Sequence, residues 1–265
     1  MSDALFEFRA GLKHLLKAGG PHQVHSPLVF RLLTQVLVPS KNFYAFEELN
    51  VQRKSLLTDN STLEIVDYGA GSRKKIKGNS RKVSEIARLS LQKRRIAESL
   101  FYFIRDLQPS NAIELGTSLG LTTAYMARAS SACKWTTMEG APEVADYAKN
   151  VLSQLDVTNV EIQKGNFDDL IPDYCAKAAQ LDFAFLDGNH RYEPTLRYFN
   201  WLSALAGEKS VFILDDIHWS SEMEKAWNEI QNSNRVTVSI DFFHFGIVFF
   251  RSGIEKQKFV LRLPK

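Results

Sequence analysis

Cysteine is scarce: Cys133 and Cys175 are the only two in 265 residues. Neither sits in a CxxC or a Cys/His cluster, which argues against a zinc framework or a disulfide-stapled miniprotein. Long apolar runs are missing too. No stretch approaches the roughly 20 apolar residues that a bilayer span needs. The opening segment MSDALFEFRAGLKHLLKAGG interrupts its apolar residues with charges at helical spacing and has no signal-type core. Charge of one sign is nearly balanced, with 33 Lys and Arg against 30 Asp and Glu for a formal +3. That excess is no global nucleic-acid signature and leaves room only for a local basic patch. Repeats of solenoid period are absent. The expectation is a cytoplasmic chain without a membrane segment. What is present is ordinary globular composition, 45% apolar and 11% aromatic. The length can bury one large domain, or a domain with an extension.

The pattern changes near residue 108. Before it, the chain reads as helices. Leu5, Phe8, Leu12, Leu15 and Leu16 recur at helical spacing until Gly19-Gly20. Ser26-Pro27 reads as a cap followed by a first-turn proline. Helical patterns follow over 43–57 and 84–107, the latter interrupted at Lys93-Arg94-Arg95. After residue 108, short apolar runs alternate with amphipathic stretches. Strands are expected at 112–115, 134–138, 160–163, 182–186, 210–214, 236–240 and 245–251, the last two as a tight antiparallel pair. The division predicted is a helical region over 1–107, serving as cap, lid or homodimer surface, and an α/β domain over 108–265. Its fold class is α/β, a doubly wound, mostly parallel sheet.

Two strand-plus-glycine loops compete for a nucleotide-like ligand. Asp67-Tyr68-Gly69-Ala70-Gly71-Ser72 leads into Arg73-Lys74-Lys75-Ile76-Lys77, which has no apolar face. Glu114-Leu115-Gly116-Thr117-Ser118-Leu119-Gly120 leads into Leu121, Ala124, Tyr125 and Ala127, a helix whose free N–H groups would face a ligand. A new strand ends at Glu139, 23 residues after Gly116, where a ribose-binding acid is expected. Read alone, the second loop is also compatible with a structural turn.

The second loop resembles the first motif of class I S-adenosylmethionine-dependent methyltransferases, in particular the small-molecule O-methyltransferases related to catechol O-methyltransferase. The motifs continue in order over about residues 84–251. Glu139-Gly140 ends the second strand. Gly165-Asn166-Phe167-Asp168-Asp169-Leu170-Ile171-Pro172 resembles the adenine loop. Asp187-Gly188-Asn189-His190-Arg191-Tyr192 follows the fourth strand, and Asp215-Asp216-Ile217 the fifth. The resemblance implies a Rossmann-like methyltransferase fold with seven strands, six parallel and one reversed. It implies S-adenosylmethionine as cofactor, bound by Glu114, Gly116, Thr117, Ser118, Gly120, Glu139, Gly140, Asn166, Phe167, Asp168 and Asp187. Ser118 stands where a dehydrogenase loop has its middle glycine.

Methyl transfer to a hydroxyl needs a proton acceptor or a metal that lowers the hydroxyl pKa. His190, three residues past Asp187, stands where catechol-type enzymes carry a lysine base, and histidine titrates near neutrality. The resemblance assigns Asp187, Asp215 and Asp216 to Mg2+, with Asp216 in place of the family's asparagine; the plainer reading makes the Asp215-Asp216 pair a helix cap. His218 and Trp219 either line an acceptor pocket or pack. His22 and His25 form an HxxH without a third ligand, and His14 and His244 read as structural.

Ten basic residues fall between Arg73 and Arg95. They read as a solvated face, a lid over the active site, or an RNA contact; no aromatic interleaving supports the last. The expected activity is O-methyl transfer to the hydroxyl of a small molecule. The alternatives are an RNA or protein methyltransferase docking through 73–95, and a non-catalytic regulator that binds S-adenosylmethionine.

Overall fold

The structure is a computed structural model that describes residues 3–38, 43–44, 46–65 and 80–264. The Asp67–Ser72 loop and the basic residues 73–77 lie outside the described residues. The chain divides into two compact units, Met1–Gln35 with Ile171–Pro264, and Val36–Leu170. The division expected after residue 107 coincides with neither boundary.

The first unit opens with α1 (Asp3–Lys17), which stops before Gly19-Gly20 as expected. Its orientation is not what the pattern suggested. Ala10, His14 and Ala18 are buried, whereas Leu5, Phe8, Leu12, Leu15 and Leu16 are exposed. The inward face is small and polar because of what it meets. A Cβ added to Gly11 would stand 3.3 Å from the Phe243 ring, and His14 faces Asp241. The helix α2 (Pro27–Arg31) begins at the expected proline and runs into a π-helical turn over Leu32–Val36.

In the second unit, α3 (Phe46–Thr58) is followed by two short antiparallel strands, β1 (Thr62–Glu64) and β2 (Ser80–Lys82). β1 ends just before the strand expected ahead of the Asp67–Ser72 loop, whereas β2 was not expected among the helical patterns. The helices α4 (Val83–Ser90) and α5 (Arg94–Leu107) are separate, broken just before Arg94. Phe43, Phe46, Phe101, Tyr102 and Tyr125 pack as an aromatic cluster; the Phe46 and Phe101 rings meet edge to face at 5.1 Å. Such pairs contribute about 1 kcal/mol beyond area burial.

An alternating segment follows: β3 (Asn111–Leu115), α6 (Leu121–Ala129), β4 (Lys134–Glu139), α7 (Pro142–Gln154) and β5 (Val160–Lys164). The strands are parallel in the order β3-β4-β5, with Ile113 opposite Thr136 and Thr137 opposite Ile162. Their C-terminal ends therefore lie side by side.

After α8 (Phe167–Lys177), the first unit resumes with β6 (Leu181–Leu186), α9 (Tyr192–Ser203), β7 (Ala206–Asp215) and α10 (Ser221–Asn232). Then come β8 (Val238–Asp241), β9 (Phe245–Phe249) and β10 (Gln257–Val260). β6 and β7 are parallel, and β9 runs antiparallel to both β7 and β8. β10 runs parallel to β8. One strand is reversed, as expected, but β3 to β10 number eight rather than seven. The added strand, β10, is half exposed, with Lys258 on it and Lys256 just before it. The core of this unit includes Phe183, Phe185, Phe199, Phe212, Trp227 and Phe245, all buried.

Candidate functional site

The glycine loop is built by the end of β3. Its backbone turns through left-handed conformations at Gly116 (φ 96°), Ser118 (φ 47°) and Gly120 (φ 77°). Glycine is required at Gly120 twice over: the conformation is left-handed, and a Cβ would stand 3.1 Å from that of Ala148. The N–H groups of Gly116 and Thr117 both donate to the Met138 carbonyl, which fastens the turn to β4. Ser118 accepts the strained conformation with two partners. Its N–H donates to Glu139 Oε2 at 2.8 Å, and its hydroxyl meets that of Ser90, on α4, at 2.8 Å.

Glu139 holds the loop from the next strand. Its other oxygen accepts the Ala141 N–H at 3.0 Å, across Gly140. The Glu139 carbonyl accepts the Gly165 N–H at 2.9 Å, so the β5 turn is tied to the same place. There Asn166 Oδ1 accepts the Asp168 N–H, and the Asn166 carbonyl accepts those of Asp169 and Leu170, opening α8. Phe167 and Asp168 are half-buried in its first turn. The structure thus puts Glu114, Gly116, Thr117, Ser118, Gly120, Glu139, Gly140, Asn166, Phe167 and Asp168 in one unit, at or just after the ends of three adjacent parallel strands. Asp187 belongs to the other unit.

Glu114 is fully buried. Its Oε2 accepts hydroxyls from Thr123 at 2.5 Å and Thr137 at 2.7 Å, while Oε1 has no partner. Burial pushes its pKa up to about 7, against the opposing pull of the two threonine hydroxyls. A buried carboxylate oxygen without a partner beside a glycine turn suits a ligand that carries a cationic group. Sequence reasoning missed Thr123, Thr137 and Ser90, because hydroxyls on a helix or strand carry no spacing signal.

In the other unit, β6 ends one residue before Asp187. Asn189 turns through φ 52°, with its side-chain amide donating to the Tyr198 hydroxyl at 3.1 Å. This brings His190 Nε2 to 3.6 Å from Asp187 Oδ1, and the Trp219 ring to 5.8 Å from the imidazole. Burial lowers the His190 pKa, opposed by the negative charge of Asp216. Asp215 is buried at the end of β7, and Asp216 (φ 53°) donates its N–H to the His244 carbonyl at 2.7 Å. The aspartates do not cap α10. Its cap is Ser220, whose hydroxyl oxygen accepts the Met223 N–H.

Among the described residues, no three His, Cys, Asp or Glu side chains gather into a set that could hold a metal ion. The set that the resemblance assigns to Mg2+, Asp187, Asp215 and Asp216, is not among such groups. A histidine, with Asp187 beside it and Asp216 acting on it, holds that neighbourhood instead.

His218 turns away from any acceptor role. It is buried, Nε2 2.8 Å from Asp241 Oδ2, with its ring stacked on Phe243. Of the described basic residues in 73–95, Arg94 pairs with Glu98 at 2.6 Å and Arg88 donates to the Leu57 carbonyl. No helix among the described residues is long and apolar enough to cross a membrane.

Residues 113–217 match the family model described as a methyltransferase domain. A catechol O-methyltransferase of Niastella koreensis is 29% identical over 113 residues, 42% of this chain and 50% of that protein. The chain thus spans about half the length of this curated relative. An O-methyltransferase from Bacillus cereus, solved in complex with SAH, superposes with a TM-score of 0.56 at 18% identity, covering 84% of this chain and 97% of that one. A SAH-bound methyltransferase from Podospora anserina superposes at 0.58 with 11% identity, covering 80% and 89%. At such identities the likeness is one of fold: the chain has the Rossmann-like methyltransferase fold.

Proposed function

We propose, from the premise that a methyltransferase domain over 113–217 lies on this fold, that the chain is an S-adenosylmethionine-dependent O-methyltransferase acting on a small hydroxylated molecule. The observation that carries the reading is the Gly116–Gly120 turn, with Glu139 bonded to its Ser118 N–H and the partnerless Glu114 Oε1 buried beneath it.

In this reading Glu114 faces the ammonium end of the cofactor and Glu139 accepts from its ribose hydroxyls. Asn166, Phe167 and Asp168 surround the adenine. The cofactor, when bound, supplies a methyl group already activated on a sulfonium and departs as S-adenosylhomocysteine. The protein's part is to orient the acceptor and to take its proton. His190 Nε2 would take the proton of the acceptor hydroxyl, leaving the oxygen lone pair free for the transfer. Asp187 and Asp216 steady the imidazolium that results. Burial favours the neutral imidazole, the form that can act as a base. No step is routed through a metal.

Isothermal calorimetry with S-adenosylhomocysteine tests the reading. One site per chain is expected, weakened at least tenfold by Glu139→Ala in a variant whose circular dichroism matches the wild type. A chain that binds nothing, or an affinity unmoved by the substitution, would refute it.

A further inference from the structure

The apolar stripe of α1 faces solvent. Leu5, Phe8, Leu12, Leu15 and Leu16 stand at spacings of three, four, three and one, and so share one side of the helix. Phe8 is 71% exposed, Leu12 54% and Leu16 82%. These five account for nearly half of the large apolar side chains left exposed among the described residues. The opposite side of the helix is already engaged, through Ala10, Gly11, His14 and Ala18. Turning α1 over to hide the stripe would break the His14–Asp241 pair and push leucines against Phe243, so the stripe stays outward for a reason internal to this unit.

We infer that this stripe is the docking face for a second copy of the chain. The area fits. At those exposures, five large side chains leave on the order of 500 Å² of apolar surface, the upper end of the largest patch that monomers carry. Two copies joined across it bury about 1,000 Å², the lower limit for a specific interface. Shape fits as well. Beside the stripe lies a hollow of about 420 Å³, lined by Glu7, Phe8, Gly11, Leu12, Leu15 and Phe243. It opens where Gly11 has no side chain, so a protruding residue of the second copy can enter it. Charge decides between this occupant and a lipid surface. Glu7 borders the hollow on one side, while Arg9 and Lys13 border the stripe on the other. Opposite signs on the two borders suit a self-complementary interface, whereas helices that lie on anionic bilayers carry a one-signed basic border.

Sedimentation velocity of the full chain at about 50 µM, well above a micromolar dissociation constant, tests the inference. A species of twice the chain mass is expected. Leu12→Glu and Leu16→Glu should each convert it to the single-chain mass, with far-ultraviolet circular dichroism and thermal midpoint unchanged. Both side chains are exposed in the single chain, and Leu16→Lys serves should either variant misfold. A wild-type chain of single mass would overturn the inference, as would a dimer that survives all three substitutions. Co-flotation with phosphatidylcholine–phosphatidylglycerol vesicles, lost in the same variants, would assign the face to lipid and refute it too. These outcomes are independent of S-adenosylhomocysteine binding, so the inference and the proposed function fail separately.

Discussion

Glu114 is an acid whose folded environment opposes its charge. It lies on β3, fully buried, with one oxygen bonded by Thr123 and Thr137 and the other by nothing. Its pKa rises from an unfolded value of 4.5 to about 7. The folded state therefore binds a proton that the unfolded state has already released over that window. Folding stability falls as pH rises from 4.5 to 7. Thermal midpoints of the ligand-free protein, measured at intervals across this range, should fall more steeply for wild type than for Glu114→Gln, which has no proton to lose. Parallel curves would mean that the carboxyl is not held as described. His190 lends itself to a kinetic counterpart. Its pKa is lowered by burial, so the acid limb of turnover should fall below the ordinary histidine value of 6.5. His190→Gln should lower kcat by about 10²–10⁴, the usual contribution of a positioned base, and leave S-adenosylhomocysteine affinity within twofold. Unchanged turnover would remove His190 from the mechanism.

Asp241 works at the scale of elements. It ends β8 and joins α1, through His14 at 3.3 Å, to the segment after β7, through His218 at 2.8 Å; the Phe243 N–H also donates to it. Burial alone would raise its pKa, but the hydrogen bonds from His14, His218 and Phe243 outweigh it and hold the carboxyl well below the usual carboxylate range. A depressed carboxyl contributes stability above its unfolded pKa of 3.8 and loses that contribution as pH falls below it. Asp241→Asn should cost about 3 kcal/mol, the scale of a buried pair broken from one side, measurable by urea denaturation at pH 7. A loss of a few tenths would show that α1 is held without it. The sequence foretold neither this bridge nor the orientation of α1. The spacing of Leu5, Phe8, Leu12 and Leu15 specifies a stripe, but which face turns inward depends on Phe243 and Asp241, more than 200 residues away. β1, β2 and β10 were missed for a related reason. They are short and partly exposed, and their ladders rather than their side chains define them.

At the scale of the molecule, the alternation of β3 to β7 with helices was legible because buried parallel strands read as short apolar runs between amphipathic helices. The loop at Gly116 was legible because a left-handed turn at the mouth of a helix favours glycine. The chain also divides into two compact units, whose boundaries in sequence fall at residues 35 and 170. That division makes the proposed cofactor residues a property of one unit, Val36–Leu170, apart from Asp187. A ligand bound there raises the free energy of local opening only for the amides that must open to release it. At 100 times its dissociation constant the increase is about 2.7 kcal/mol, or roughly 100-fold slower exchange. Hydrogen exchange with saturating S-adenosylhomocysteine should therefore slow most at residues 116–121 and 139–141. Those amides form the Gly116–Gly120 turn and the bond from Ala141 to Glu139. Protection in the β1–β2 segment should be slight by comparison. If protection fell only within residues 171–264, the glycine turn would be a structural bend and the cofactor reading would fail with it.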